Sequence, residues 1–146
     1  DLSALRGVAD WTRTFVAMPH PDLGRGGPVC PFVSTGLDHH TLWLAPERRT
    51  GRTTADVIQI VERYKRTLLQ AEPRDGDNAE HKSISVVFTD LPATQAKEFF
   101  DAVLQPIGVS SYVDQGLVIG PFYEGNEPPR STIQAFGLSL RPPRSC

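Results

Sequence analysis

The feature that most constrains the fold is a long amphipathic helix predicted between two strands. From residue 53 to residue 70, apolar side chains recur at three- and four-residue spacing, and Thr53 with Asp56 forms a helix start. Residues 41–45 before it and 83–89 after it alternate with the two-residue period of strands. Because a strand–helix–strand unit joins parallel strands by a right-handed crossover, the chain is predicted to contain a parallel pair.

The remaining segments complete an α+β pattern. We expect the following further elements: a helix at 2–16, a long loop at 17–36, a mobile loop at 71–82, a helix capped by Asp90 and closed by Pro106 and Gly108, a hairpin at 112–119 turning at 114–116, a loop at 120–132 and a last strand at 135–140. The predicted fold is a two-layer sandwich of one domain, 1–146. It has one mixed sheet of about four strands, with two to three helices packed mainly on one face.

Composition excludes several functional classes. The chain is 39% hydrophobic and 22% charged, with a net charge of -2, so it offers no basic surface to nucleic acid. No apolar run approaches the roughly 18 residues of a membrane span. Two cysteines, Cys30 and Cys146, do not make a disulfide framework, and we expect free thiols and a cytoplasmic location. The lysines Lys65, Lys82 and Lys97 are expected to be exposed, which argues against Schiff-base chemistry.

The segment 24–33 is the most unusual stretch of the chain. It reads GRGGPVCPFV, with three glycines, two prolines and Cys30 in ten residues. Three interpretations of Cys30 stay open from the sequence. It is a nucleophile assisted by His39 or His40, a thiolate ligand of a metal or haem iron, or a packed structural cysteine. Cys-Pro before a large apolar residue resembles the short haem-regulatory motif, so haem is a candidate cofactor.

Histidines give a second set of candidates. A metal site of Cys30 and His20, completed by one of the pair His39 and His40, is conceivable, although no zinc-ligand spacing is present. His81 lies in the predicted mobile loop, where we expect it to be solvated. Other side chains are candidate ligand contacts: Arg25 for an anionic group, Phe32, Phe122 and Tyr123 as pocket walls, and Glu124 as a polar contact.

Two Gly-Pro segments carry a resemblance to a known family. The stretches GRGGPVCPFV at 24–33, GLVIGPFY at 116–123 and LRPP at 140–143 are similar to an uncharacterised family of small bacterial domains that is associated with natural-product gene clusters. The resemblance implies a bacterial protein of small-molecule metabolism. It implies no mechanism.

The function predicted from these observations is an enzyme or accessory enzyme of secondary metabolism. It would bind a hydrophobic small molecule or haem between the two Gly/Pro segments, with Cys30 central. The alternative is a non-catalytic module that carries a ligand or forms a homodimer. A binding function predicts a concave, partly apolar cavity touching both segments, whereas an interaction module predicts a flat, exposed apolar patch.

Overall fold

The protein is an α+β domain built on one mixed sheet, seen here in a computed structural model that describes residues 2–24, 26–123 and 135–140. Its helices and strands, in chain order, are α1 Leu2–Trp11, α2 Pro31–Asp38, β1 Leu42–Glu47, α3 Thr54–Gln70, β2 Ser83–Phe88, α4 Ala93–Gln115, β3 Leu117–Phe122 and β4 Ala135–Leu140. The strand order is β1-β2-β4-β3, with β1 and β2 parallel and the other two pairs antiparallel. The predicted α+β fold with a mixed four-stranded sheet is confirmed. Among the described residues, no helix is both long enough and apolar enough to cross a membrane.

The helix between β1 and β2 begins where the sequence predicts. The Thr53 hydroxyl accepts a hydrogen bond from the backbone N–H of Asp56, and the Asp56 carboxylate accepts one from the backbone N–H of Thr53. This reciprocal pair satisfies two N–H groups that a helix start leaves unpaired. The crossover places α3 against one face of the sheet, as the parallel pair requires.

The helix before β3 is longer than predicted. It continues through Pro106 and Gly108 to Gln115, so the predicted hairpin at 112–119 is wrong. The buried face of the helix continues through Val103, Ile107 and Ser111, which follow one another at four-residue spacing. Burial of this face outweighs the helix-breaking tendencies of proline and glycine.

Asp90 is not the cap of α4, since Pro92 occupies the N-cap position. Its carboxylate instead accepts hydrogen bonds from the backbone N–H groups of Arg49 at 2.6 Å and Thr50 at 3.0 Å. The side chain therefore ties the connection after β1 to the connection after β2.

The sheet has one closed face and one partly open face. On the closed face, α3 and α4 bury the main core with Ile84, Val86 and Phe88 of β2 and Leu138 of β4. On the opposite face a smaller cluster joins α1, through Val8, to Val87 and Ala135. The two longest helices share one face, as predicted, and α1 adds partial cover to the other.

The loop predicted at 17–36 ends earlier than expected, so the prediction is wrong for residues 31–36. The helix α2 begins at Pro31, and Cys30 is its extended N-cap residue. Proline at the first helical position is favourable, because its fixed φ suits a helix and the N–H that it lacks would be unpaired there anyway. Pro31 therefore starts a helix, where the sequence interpretation used it only to stiffen a loop.

Candidate functional site

A cavity of about 430 Å³ lies on the partly open face of the sheet. Its floor is formed by the strands, its roof by the end of α1 and the turn that follows, and one wall by the start of α2. Cys30 and Phe32 from the first Gly/Pro segment line it, and so do Gly120 and Phe122 from the second. The predicted concave cavity that touches both segments is therefore present.

The floor is hollow because the strands carry small residues there. Ser83 and Ser85 of β2 lie beside Ser139 and Gly137 of β4, in the pairs Ser83–Ser139 and Ser85–Gly137. Alternation along a strand sends these side chains to the face opposite Ile84 and Leu138. Short side chains on one face leave space that large ones fill on the other.

Glycine is required at position 137. A Cβ atom there would lie 2.5 Å from Cε2 of Phe122, so the ring of Phe122 rests directly on this backbone. The ring also contacts Trp11 edge-on at a centroid distance of 5.5 Å. Phe122 therefore joins the floor of the cavity to its roof.

The roof follows a π-helical turn, Thr12–Val16, which continues α1. Trp11 and Phe15 stack at 6.1 Å, and both line the cavity. A π turn has a wider period than an α-helix, and such turns occur frequently at functional sites.

Backbone hydrogen bonds hold the first Gly/Pro segment against this roof. Cys30 N–H donates to Val16 O, and Val29 N–H donates to Met18 O, each at 2.9 Å. Gly24 turns the chain with a left-handed φ of 63°. The segment is thereby fastened at the point where Cys30 and Phe32 meet the cavity.

His81 forms part of the side wall, so the prediction that it is solvated is wrong. Its ring lies 5.5 Å from the ring of Phe32, and its Nδ1 atom is buried with no hydrogen-bond partner among the described residues. Its backbone carbonyl accepts a hydrogen bond from the Thr41 hydroxyl at 2.9 Å. The short 3₁₀ turn Ala79–His81 and this bond hold the imidazole in place.

The structure brings together only some of the predicted site residues. Cys30, Phe32 and Phe122 line the cavity. Tyr123 points to the closed face, where it stacks on Phe100 at 5.6 Å. Arg25 and Glu124 lie outside the described residues.

The predicted histidine partners do not accompany Cys30. His39 and His40 follow the last turn of α2, whereas Cys30 precedes its first, and the eight helical residues between them span roughly 12 Å. Both histidines are exposed. His20 contacts Phe15 edge-on at 5.3 Å and accepts a hydrogen bond from the Asp22 N–H, without lining the cavity.

No metal cluster supports the predicted ligation by Cys30 and His20. Within 2–24, 26–123 and 135–140, no group of three or more His, Cys, Asp or Glu side chains is arranged to hold a metal ion. Cys30 is a free, partly buried thiol.

The strongest ion-pair cluster lies away from the cavity. Glu47, at the end of β1, accepts hydrogen bonds from Arg52 at 2.6 Å, Arg63 at 3.1 Å and the Tyr64 hydroxyl at 2.8 Å. Burial alone raises the pKa of Glu47, but the bonds from Arg52 and Tyr64 and the two positive charges outweigh burial and lower it. These groups are hydrogen-bonded to one another, and the bonds from Arg63 and Tyr64 link α3 to β1.

Two lysines are buried, so their predicted exposure is wrong. Lys82 is 2% exposed, and its ammonium donates a hydrogen bond to Ala71 O at 2.7 Å, just after the end of α3. Burial lowers the pKa of Lys82, and the charge of Glu72 partly opposes that effect. Lys65 donates a hydrogen bond to Glu62 at 2.7 Å. Both amines already have acceptors, which argues for a structural role.

Sequence interpretation missed His81 and the three floor serines. A usable signal was present, since Ser83 and Ser85 alternate with large apolar residues along one strand, and Gly137 and Ser139 do so along another. Two strands with small residues on the same face predict a hollow when they pair in register. Their pairing, however, depends on a long-range contact between β2 and β4.

The fold and its cavity define a class: a small α+β domain with a lined, largely apolar cavity on one face of its sheet. The chain belongs to the family described as domain of unknown function DUF6875, whose family model matches residues 5–143. Neither the search of curated proteins nor the search of solved structures gave a match.

Proposed function

We propose that this protein binds a hydrophobic small molecule in the cavity between α1, α2 and the sheet. The observation that carries the proposal is the cavity of about 430 Å³, walled by Trp11, Phe15, Phe32 and Phe122. Pockets for small molecules have volumes of about 300–1,000 Å³ and mainly apolar and aromatic walls. The π-helical turn in the roof is a further feature of binding sites.

We place the ligand in bacterial secondary metabolism, with the protein acting as a cytoplasmic enzyme or accessory enzyme. The support for this assignment is the resemblance of segments 24–33 and 116–123 to a family associated with natural-product gene clusters. Those two segments are also the ones that meet at the cavity, through Cys30 and Phe122.

A substitution that fills the cavity tests the proposal. Gly120 lines the cavity, and a Cβ atom at this position would meet nothing within 4 Å. Gly120→Leu therefore adds apolar volume where there is space. The neutral dye 1-aminoanthracene, which fluoresces more strongly in apolar surroundings, is the probe. We expect saturable binding to the unaltered protein and a loss of affinity of at least about tenfold in Gly120→Leu, because ligand and side chain compete for one volume.

Gly7→Leu is the matched control. Gly7 lies on α1 outside the cavity and also has open space around its Cβ direction. It should bind the dye as the unaltered protein does, and thermal unfolding should show both variants folded. Absence of saturable binding, or equal binding by Gly120→Leu, would refute the proposal.

Haem is a second candidate occupant, favoured by the thiol of Cys30 on the cavity wall. A cysteine thiolate is an established axial ligand of haem iron. Titration with hemin, followed by absorption spectroscopy, should give a thiolate-type Soret band that is absent in Cys30→Ala. Identical spectra for the two proteins would remove haem ligation by Cys30.

The alternative of a dimerising module has its own supporting surface. The second half of α4 exposes Val109 at 76%, Val113 at 64% and Tyr112 at 48%. A second copy of this chain is the proposed occupant, since the charged residue among the described lining of this groove, Asp101, is paired with Lys97 at 2.6 Å and the other lining residues are uncharged. Sedimentation should then show a dimer that Val109→Glu dissociates, and a monomer at all concentrations would contradict this alternative.

A further inference from the structure

The floor of the cavity carries a polar stripe, and the walls around it are largely apolar. It is formed by four side chains: His81, Ser83, Ser85 and Ser139. Ser83 and Ser139 are directly opposed on neighbouring strands, with Cα atoms about 5 Å apart. Ser83 and Ser85 are two residues apart on one strand, about 7 Å, and therefore share a face.

His81 extends this stripe. It comes two residues before Ser83, and Lys82 between them has extended backbone angles, φ −88° and ψ 138°. The alternation of side-chain directions along β2 therefore extends back to His81, whose imidazole lies on the same face as the side chains of Ser83 and Ser85. All four side chains line the same cavity.

These polar groups have no protein partners within the described part of the chain. The Nδ1 atom of His81 is buried and unpaired. The hydroxyls of Ser83, Ser85 and Ser139 make no hydrogen bond with another described residue, although other serines in the fold do, such as Ser111 with Ile107 O. Buried polar groups are nearly always hydrogen-bonded in native proteins, so the unpaired His81 Nδ1 is an exception among the described residues. The serine hydroxyls are partly exposed on the cavity floor, where a bound molecule can replace water as their hydrogen-bond partner.

The charge of the wall restricts what that molecule is. Glu80 and Lys82 are the charged residues among the described lining. The Lys82 ammonium is already engaged by Ala71 O. Among the described lining residues, a carboxylate or phosphate on the ligand would therefore meet the Glu80 carboxylate and one lysine whose ammonium is already held by a backbone carbonyl, so its desolvation would be costly.

From this arrangement we infer that the stripe selects a hydrophobic molecule that has no anionic group and carries hydroxyl or carbonyl groups along one edge, with the serine hydroxyls and the imidazole of His81 as specificity-determining contacts. The inference rests on the proposed binding function. The apolar faces of the ligand contact Trp11, Phe32 and Phe122, and its polar edge lies on the serine floor.

Displacement of 1-aminoanthracene by matched competitors tests this assignment. Biphenyl and 4-phenylphenol have the same carbon skeleton and differ by one hydroxyl, which can donate to an imidazole nitrogen. The measured quantity is the ratio of their dissociation constants, biphenyl over 4-phenylphenol. Because the difference in ligand hydration is common to all variants, a change in this ratio between variants reports the polar contact.

The informative substitution is His81→Phe, which keeps an aromatic ring beside Phe32 and removes the nitrogen. We expect the ratio to fall roughly three- to tenfold, the effect of one hydrogen bond. His81→Asn places a polar atom near the former Nδ1 position and should restore part of the ratio. The double variant Ser83→Ala/Ser85→Ala should lower the ratio as well, and it provides the test if His81→Phe fails to fold.

The possible failures are distinguishable. If the dye does not bind the unaltered protein, the proposed function is wrong. If the dye binds but the ratio is equal in unaltered protein, His81→Phe and Ser83→Ala/Ser85→Ala, the polar stripe does not select the ligand. Tighter binding of 4-biphenylcarboxylate than of 4-phenylphenol would also overturn the inference, because the cavity would then favour an anionic group.

Discussion

The two faces of the sheet are built from the same strands and differ in what their alternate residues are. Along β2, Ile84, Val86 and Phe88 face α3 and α4, and each is at most 3% exposed. Ser83 and Ser85 face the other way and line the cavity. One strand thus contributes a filled core to one layer and a hollow to the other.

The last strand repeats the contrast. The side chain of Leu138 is fully buried in the main core on the closed face, whereas strand alternation sends its neighbours Gly137 and Ser139 toward the cavity face. This difference indicates that packing on the closed face contributes most of the stability. On the opposite face, small side chains leave a cavity where large ones would pack. Substitutions on the two faces should therefore differ in what they change.

The largest effect is expected from Leu138→Ala. This side chain is 0% exposed in the main core, so truncation removes apolar contacts and leaves a cavity, at a cost of about 2–5 kcal/mol in the free energy of unfolding. Val118→Ala on the cavity face is the matched control, since Val118 is 37% exposed and should cost about 1 kcal/mol or less. Urea denaturation measures both, and equal losses would contradict the division between the faces.

A smaller effect is expected from Gly36→Ala, on the side of the cavity. A Cβ atom at Gly36 would lie 2.8 Å from the carbonyl oxygen of His81 and 2.8 Å from Cδ2 of Leu42. The helix α2 must then move away from the cavity wall, at a cost of about 1–3 kcal/mol. Affinity for 1-aminoanthracene should fall together with the melting temperature.

Gly7→Ala is the control for that substitution. Gly7 is helical and has open space around it, so alanine should stabilise the protein by about 0.5–1 kcal/mol through lower chain entropy in the unfolded state. If Gly36→Ala behaves in the same way, α2 does not approach the wall as closely as the structure indicates.

The closed face was more predictable from the sequence than the cavity face. Periodicity predicted α3 because its apolar residues and its Thr53–Asp56 start are local signals. The cavity depends on the pairing of Ser85 with Gly137, which are more than fifty residues apart. Local patterns contain no information on which small residues become neighbours across two strands.

The errors at individual residues have the same origin. Cys30 and Phe122 were expected at the site because Gly-Pro segments are unusual in themselves, and they do line the cavity. Tyr123 was assigned to the same site, but strand alternation sends it to the opposite face. His81 was assigned to a mobile loop because its neighbours are polar, and its contact with Phe32 comes from tertiary packing.

The last prediction concerns Asp90, which links the connections that follow β1 and β2. Burial alone raises the pKa of Asp90, but hydrogen bonds from the backbone N–H groups of Arg49 and Thr50 outweigh burial and lower it to about 2, from 3.8. A carboxyl group with a lowered pKa in the folded state stabilises the protein above its unfolded pKa. That contribution is lost as pH falls through the folded pKa, here between about pH 4 and pH 2.

Asp90→Asn should therefore destabilise the protein by about 1–2 kcal/mol at pH 7, and the difference from the unaltered protein should shrink as the pH falls from 4 to 2. Asp101→Asn is the control, because the pair of Asp101 with Lys97 at 2.6 Å is exposed and screened by solvent, so its loss should change stability little at any pH. Thermal unfolding across this pH range measures both. A difference that is constant with pH would show that the ionised Asp90 carboxylate does not hold the connections after β1 and β2 together.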